Sequence, residues 1–257
     1  MIRSAVTIVN AVLVTLFSAG VVLVARTIRR PMRSNSIYER SMRRWGGGIL
    51  RGAGVKIVLH GQENITAGGG VYICNHVSWF DVFSIASRLP RCTFVAKHEL
   101  RAVPIFGWGA ESAGVVFLDR ENRKAAFESY KVAAAAVQAG RRVVVFPEGT
   151  RGFDYHLRTF KKGPFVLAIS SGEPIVPTVI YGAREVMGKD SFRVRAGTVH
   201  IHFLAPIETK GRTFDDRTAI MAETRGRMAA LLEREYAVTD SPRALQRDSD
   251  PQLIEDG

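Results

Sequence analysis

Residues 75–81 read NHVSWFD, between the apolar run VYIC and VFSIASRLP, a run with helical spacing. A histidine at such a strand-to-helix junction suits general-base chemistry, because imidazole titrates near neutral pH. His76 and Asp81 are five residues apart, about 140° around an ideal helix. They meet only if His76 lies in the turn and Asp81 in the first helical turn. With Ser78 as N-cap, Asp81 becomes the third helical residue. It could then hold the imidazole by one nitrogen and leave the other free. Ser78-x-x-Asp81 reads equally as a capping box, which stabilises a helix start without chemistry. Spacing alone leaves both readings open.

A second group of residues favours an anion. FPEGTR (146–151) closes the strongest apolar strand of the chain with Glu148, Gly149, Thr150 and Arg151. Gly149 permits a tight turn, and the planar guanidinium of Arg151 suits a phosphate. Lys97, Arg120 and Lys161 also fall at strand ends or helix beginnings. Four cations in such places point to a phosphate pocket rather than a solvated edge of mixed sign. Metal chemistry is not expected. His200 and His202 share one face of a strand, but two histidines make a poor site. Cys74 and Cys92 form no CxxC and no disulfide framework, and read as buried or free thiols in a reducing compartment.

These residues need a scaffold. Strands are expected at 55–61, 70–75, 92–97, 114–120, 141–149, 173–182 and 192–206. Helices are expected at 78–89, 121–139, 164–171 and 213–236. The alternation predicts an α/β fold with a mostly parallel sheet flanked by helices. Ahead of it, Ala5 to Ala25 runs 21 residues without a charge. As a helix that is roughly 31 Å, enough for a bilayer core. Thr7, Asn10, Thr15 and Ser18 interrupt it, so a span and a helix dipping into one leaflet both fit. Arg26 to Arg51 is arginine-rich, with Trp45 at a typical interfacial position. It reads as an amphipathic helix returning along the surface, which favours the single-leaflet hairpin. The domains expected are membrane-anchoring helices at 1–54, the catalytic α/β unit at 55–238 and a disordered polar tail at 239–257. The formal net charge of +12 calls for an anionic partner. No recognised nucleic-acid motif appears, so lipid headgroups or phosphorylated substrates fit better than nucleic acid.

In order along the chain, NHVSWFD, then Lys97 with Phe106-Gly107-Trp108 and Phe117-Leu118-Asp119-Arg120, then FPEGTR, then Ile175-Val176-Pro177 resemble the four motifs of the glycerolipid acyltransferases. The resemblance is greatest to the bacterial 1-acyl-sn-glycerol-3-phosphate acyltransferases. It implies acyl transfer from acyl-CoA or acyl carrier protein to lysophosphatidic acid in the cell membrane, on its cytoplasmic face, with no cofactor and no metal. In that reading His76 is the base, Asp81 orients it, and Lys97 and Arg151 hold the phosphate with Arg120 and Lys161 near. Glu148 shapes the turn, and the oxyanion is held by backbone N–H groups near Ser78 or Gly149. Lyso-ornithine lipid or glycerol 3-phosphate are alternative acceptors. Ser78 as a covalent nucleophile lacks a G-x-S-x-G elbow. A non-catalytic, basic, lipid-binding adaptor would explain the anchor but not His76, Asp81 and FPEGTR together.

Overall fold

The computed structural model describes residues 2–32, 35–119 and 122–239. Its elements are α1 (Ile2–Thr27), α2 (Ile37–Ala53), β1 (Val55–His60), β2 (Gly70–Cys74), α3 (Trp79–Arg88), β3 (Cys92–Lys97), α4 (Phe106–Ser112), β4 (Val116–Leu118), α5 (Arg123–Gln138), β5 (Arg142–Val145), α6 (Gly163–Ser171), β6 (Ile175–Tyr181), α7 (Ala183–Val186), β7 (Gly197–Phe203) and α8 (Arg217–Tyr236). The strands form one sheet in the order β1-β7-β6-β2-β5-β3-β4. Neighbours run parallel except β6 and β7. The α/β expectation is met.

The central strands read as unbroken apolar runs because both faces are covered. Val71, Ile73, Val143 and Val145 lie in one core with Ala133, Phe165 and Met228 of α5, α6 and α8. Tyr72, Cys74 and Val144 lie in the other, with Leu50 and Ala53 of α2 and Phe80 and Ile85 of α3. Both cysteines are buried. Most strands are shorter than the sequence suggests, β5 and β7 by the most residues. β5 stops at Val145, because Pro147 lacks an amide donor and Gly149 turns the chain at φ +81°. β7 begins only at Gly197. Helix α4, across the FGW motif, was not expected.

Helix α1 is amphipathic in reverse. Its polar side faces the protein. Arg3 donates to the Ala53 carbonyl (3.3 Å), Thr7 to Gly52 (3.4 Å) and Asn10 to Gly48 (3.1 Å), while the Trp45 indole donates to Thr15 Oγ1 (2.9 Å). These pairs run α1 and α2 antiparallel. Ile2, Val6, Val9, Leu13, Phe17 and Val24 face outward and are exposed. Trp45, read from the sequence as interfacial, is half-buried and packs edge-on against Phe83 of α3 at 5.2 Å. Arg120 and the expected tail beyond Thr239 lie outside the described residues.

Candidate active site

β2, β5 and β3 are adjacent and parallel, so their carboxyl ends emerge side by side. β2 delivers Asn75 and His76, β5 delivers Phe146 to Arg151, and β3 ends on Lys97. This is where α/β folds gather chemistry. Asn75 locks the end of β2 to β6: its amide accepts from Ile180 N–H (2.8 Å) and donates to Ile180 O (2.9 Å). The FPEGTR turn then grips His76. Glu148 Oε1 accepts the His76 backbone N–H (2.9 Å), Gly152 N–H donates to the His76 carbonyl (2.7 Å), and the Phe146 ring stacks on the imidazole at 4.1 Å.

Asp81 is fully buried at the third position of α3, as expected. Its Oδ2 lies 2.9 Å from His76 Nδ1 and accepts from Val77 N–H (2.7 Å) and Ser78 N–H (2.8 Å). The two sequence readings are therefore not alternatives. The same oxygen caps the helix and holds the imidazole, whose side chain keeps 14% exposure. Ser78 accepts from Phe80 N–H (3.2 Å) and donates to the Met187 carbonyl (2.6 Å) while wholly buried, which leaves it unsuited to attack a substrate.

Several of the backbone N–H groups around the expected oxyanion position are already engaged. The Val77 and Ser78 amides are taken by Asp81, and that of Phe80 by Ser78 Oγ. Gly149 N–H donates to the Phe146 carbonyl (3.2 Å). Local hydrogen bonding at the turn and helix start uses these groups first.

Glu148, expected to shape the turn, is buried in it. It points inward, and burial pushes its carboxyl up to about 8, against backbone hydrogen bonds from His76 and Arg158. It supports His76 from beneath. Arg151 is half-buried with its guanidinium 5.6 Å over the Trp79 ring, at the start of α3. Thr150 is exposed beside it. Lys97 and Lys161 are exposed, and Lys161 N–H donates to the Pro147 carbonyl (2.9 Å). Arg120 lies outside the described residues.

Sequence reasoning missed Asn75, Phe146 and Tyr155. Asn75 stood in the quoted motif without a role. Tyr155 carried no local signal. Its hydroxyl donates to Glu185 Oε2 (2.6 Å) and accepts from Gly182 N–H (2.7 Å) and Arg184 N–H (3.1 Å). It thereby pins the chain after FPEGTR to the end of β6.

Residues 56–181 match the acyltransferase family model. The 1-acyl-sn-glycerol-3-phosphate acyltransferase of Saccharomyces cerevisiae is 32% identical over 211 residues, 80% of this chain and 68% of the yeast protein. The Cocos nucifera enzyme of the same name is 38% identical over 158 residues, 61% of this chain and 51% of that protein. The human alpha form is 33% identical over 181 residues, 69% of this chain and 64% of that protein. The chain thus spans about half the length of the coconut relative and about two thirds of the other two. The crystal structure of the 1-acyl-sn-glycerophosphate acyltransferase PlsC from Thermotoga maritima shares the fold, with a TM-score of 0.74 over 90% of this chain and 95% of that one at 24% identity. The family match runs through His76, Asp81, Lys97, the FPEGTR turn and Lys161. On these similarities and on the arrangement of its sheet edge, the chain belongs to the acyltransferase family that includes the 1-acyl-sn-glycerol-3-phosphate acyltransferases.

Proposed function

We propose that the protein transfers an acyl chain from an acyl thioester to the sn-2 hydroxyl of 1-acyl-sn-glycerol 3-phosphate, giving phosphatidic acid. The observation that supports this most directly is the His76–Asp81 pair, 2.9 Å apart on the sheet edge that also carries Lys97 and Arg151. Asp81 holds Nδ1, so Nε2 takes the proton of the acceptor hydroxyl as its oxygen attacks the thioester carbonyl. A C–O bond forms, the tetrahedral intermediate collapses, and the C–S bond breaks. The proton on His76 passes to the departing thiolate. Buried Asp81 stabilises the imidazolium while it exists, and Phe146 fixes the ring plane. Arg151, Lys97 and Lys161 attract the phosphate, with Arg120 as a further cation of the motif. The thioester is acyl-CoA or acyl carrier protein, and the cationic rim suits either.

The reaction takes place at a membrane surface. α1 is long and apolar enough to cross a bilayer, yet its polar side is bound to α2. This supports the hairpin in one leaflet, with the arginines of α2 against anionic headgroups of the cytoplasmic face. The acceptor then keeps its acyl chain in lipid while its headgroup reaches His76.

The test is an assay of detergent-purified protein with lysophosphatidic acid, glycerol 3-phosphate and a lyso-ornithine lipid, with acyl-CoA and acyl carrier protein donors in parallel. Lysophosphatidic acid is expected to show the highest kcat/KM. A faster reaction with glycerol 3-phosphate or lyso-ornithine lipid would overturn the acceptor, and no acyl transfer to any would overturn the reaction.

A further inference from the structure

The reaction leaves unused three histidines on β1 and β7. Among the described residues β1 is an edge strand, paired with β7 alone, and the parallel register sets His60 beside His202. His200, two residues earlier on β7, points to the same face because side chains alternate along a strand. His60 Nε2 lies 3.0 Å from His200 Nδ1, and the His60 and His202 rings stack 4.1 Å apart at 6°. One ring nitrogen from each of the three falls within 4.8 Å of the others.

We propose that His60, His200 and His202 form a binding site for a divalent late first-row metal ion, with zinc the natural occupant. Imidazole nitrogen is a preferred donor for such ions. Tetrahedral zinc with Zn–N bonds of ~2.0–2.1 Å places its ligands ~3.3 Å apart. Imidazole lone pairs lie in the ring plane, so the His60 ring must turn out of its stack on His202 before the nitrogens converge on one ion; His60 is exposed and His200 half-buried, which leaves both free to turn, while His202 is the buried, fixed member. A ligating histidine is usually oriented by an oxygen at its ring. Tyr236, the last residue of α8, supplies one, its hydroxyl 2.6 Å from His202 Nε2.

The charges around the trio permit a cation. Arg227 and Arg234 line the adjoining cavity of about 360 Å³ together with His60 and His202. Arg227 is bonded to Glu223 (2.6 Å) and to the Ala205 carbonyl (3.1 Å), and Arg234 to Glu235 (2.9 Å). Their charge is locally balanced, and three imidazoles leave a fourth position open for water or an anion. Bound metal would fasten the edge strand to β7 and to the end of α8. The Tyr236 ring stacks on Tyr181 at 3.6 Å, and Tyr181 lies 4.3 Å from Tyr155.

The full chain, without a histidine tag and stripped by chelator, should be titrated with Zn²⁺ against a chromophoric competitor and with Co²⁺ by visible absorption. One equivalent of zinc at micromolar affinity or better is expected, with four-coordinate cobalt bands and a raised melting temperature. His202→Ala risks misfolding, so His60→Ala and His200→Asn are the working variants. Each should fold without metal, weaken binding at least tenfold and lose the thermal shift. Absence of stoichiometric zinc binding, or binding unchanged in both variants, would overturn the site.

Discussion

At the scale of single residues, one oxygen does two jobs. Asp81 Oδ2 serves both the helix cap and His76. His76→Ala should therefore cut acyl transfer by ~10²–10⁴-fold, the loss expected on removing the proposed base, with little change in melting temperature because the helix cap of Asp81 stays in place. Asp81→Asn should lower both activity and melting temperature. Ser78→Ala, which removes a cap worth ~1 kcal/mol, should lower melting temperature without a comparable loss of turnover per folded molecule. Turnover and thermal melts on the three variants separate the roles; Asp81→Asn with full turnover would reduce Asp81 to a cap. Glu148 makes a prediction in pH. Its carboxyl is raised from 4.5 to about 8, so between those values the folded chain keeps a proton that the unfolded chain loses. The contribution is fully present below the unfolded pKa and lost as pH rises through the folded one. Urea unfolding of the wild type should lose stability relative to Glu148→Gln from pH 4.5 to 8 and then level off. A difference that stays flat over that range would mean that the carboxyl is ionised in the fold.

At the scale of elements, α2 shows why a helix carries Gly46-Gly47-Gly48. Glycine in an open helix costs up to ~1 kcal/mol against alanine. Here close packing requires it at particular positions. A Cβ on Gly46 would meet the Phe83 carbonyl at 2.5 Å, and one on Gly52 would meet the Asn10 amide at 2.3 Å, whereas one on Gly47 would find only Ser87 Cβ at 4.0 Å. Gly46→Ala should thus destabilise by ~1–3 kcal/mol. Gly47→Ala, one position away, should be neutral or stabilising. Denaturant unfolding of the two variants reads the difference in sign, and equal gains in both would mean that α2 does not pack against α3 as described. α3 itself is set by its ends, with Ser78 and Asp81 at the start and Pro90 just beyond the finish.

At the scale of the molecule, the exposed stripe of α1 and the arginines of α2 lie on one helical pair. Val9, Leu13 and Phe17 are 58%, 61% and 69% exposed, on the side of α1 away from α2. An apolar surface so continuous marks an interaction face. Replacing the three with serine should reduce partition into anionic vesicles by about 100-fold or more, since a buried side chain of this kind contributes ~1.5–3 kcal/mol. Sedimentation with vesicles measures it, with circular dichroism as the check on folding. Unchanged partition would place the membrane contact elsewhere. Removing the whole of 1–54 is the poorer test, because Leu50 and Ala53 belong to the core under the sheet. An N-terminal tag on intact cells should resist external protease if the pair lies in the cytoplasmic leaflet, and be cleaved if α1 spans.

Much of the site was legible in the sequence because its parts are close along the chain. His76 and Asp81 are joined by one turn, Gly149 and Arg151 by another, and the strand preceding each announces itself by its apolar run. Local pattern fixes element type, and element type fixed that both turns fall at strand ends. What it left open was whether Asp81 caps or orients, since five residues of spacing fit both; only the positions of the atoms put one oxygen in both roles. The direction of Glu148 was equally hidden, because strand, turn and charge are the same whether the side chain faces substrate or core. Polar residues in α1 read as breaks in an apolar helix until α2 packed against them as partners. His60 lies 140 residues from His200. Their meeting depends on β1 pairing with β7, a non-local choice made by sheet packing that no window of sequence contains.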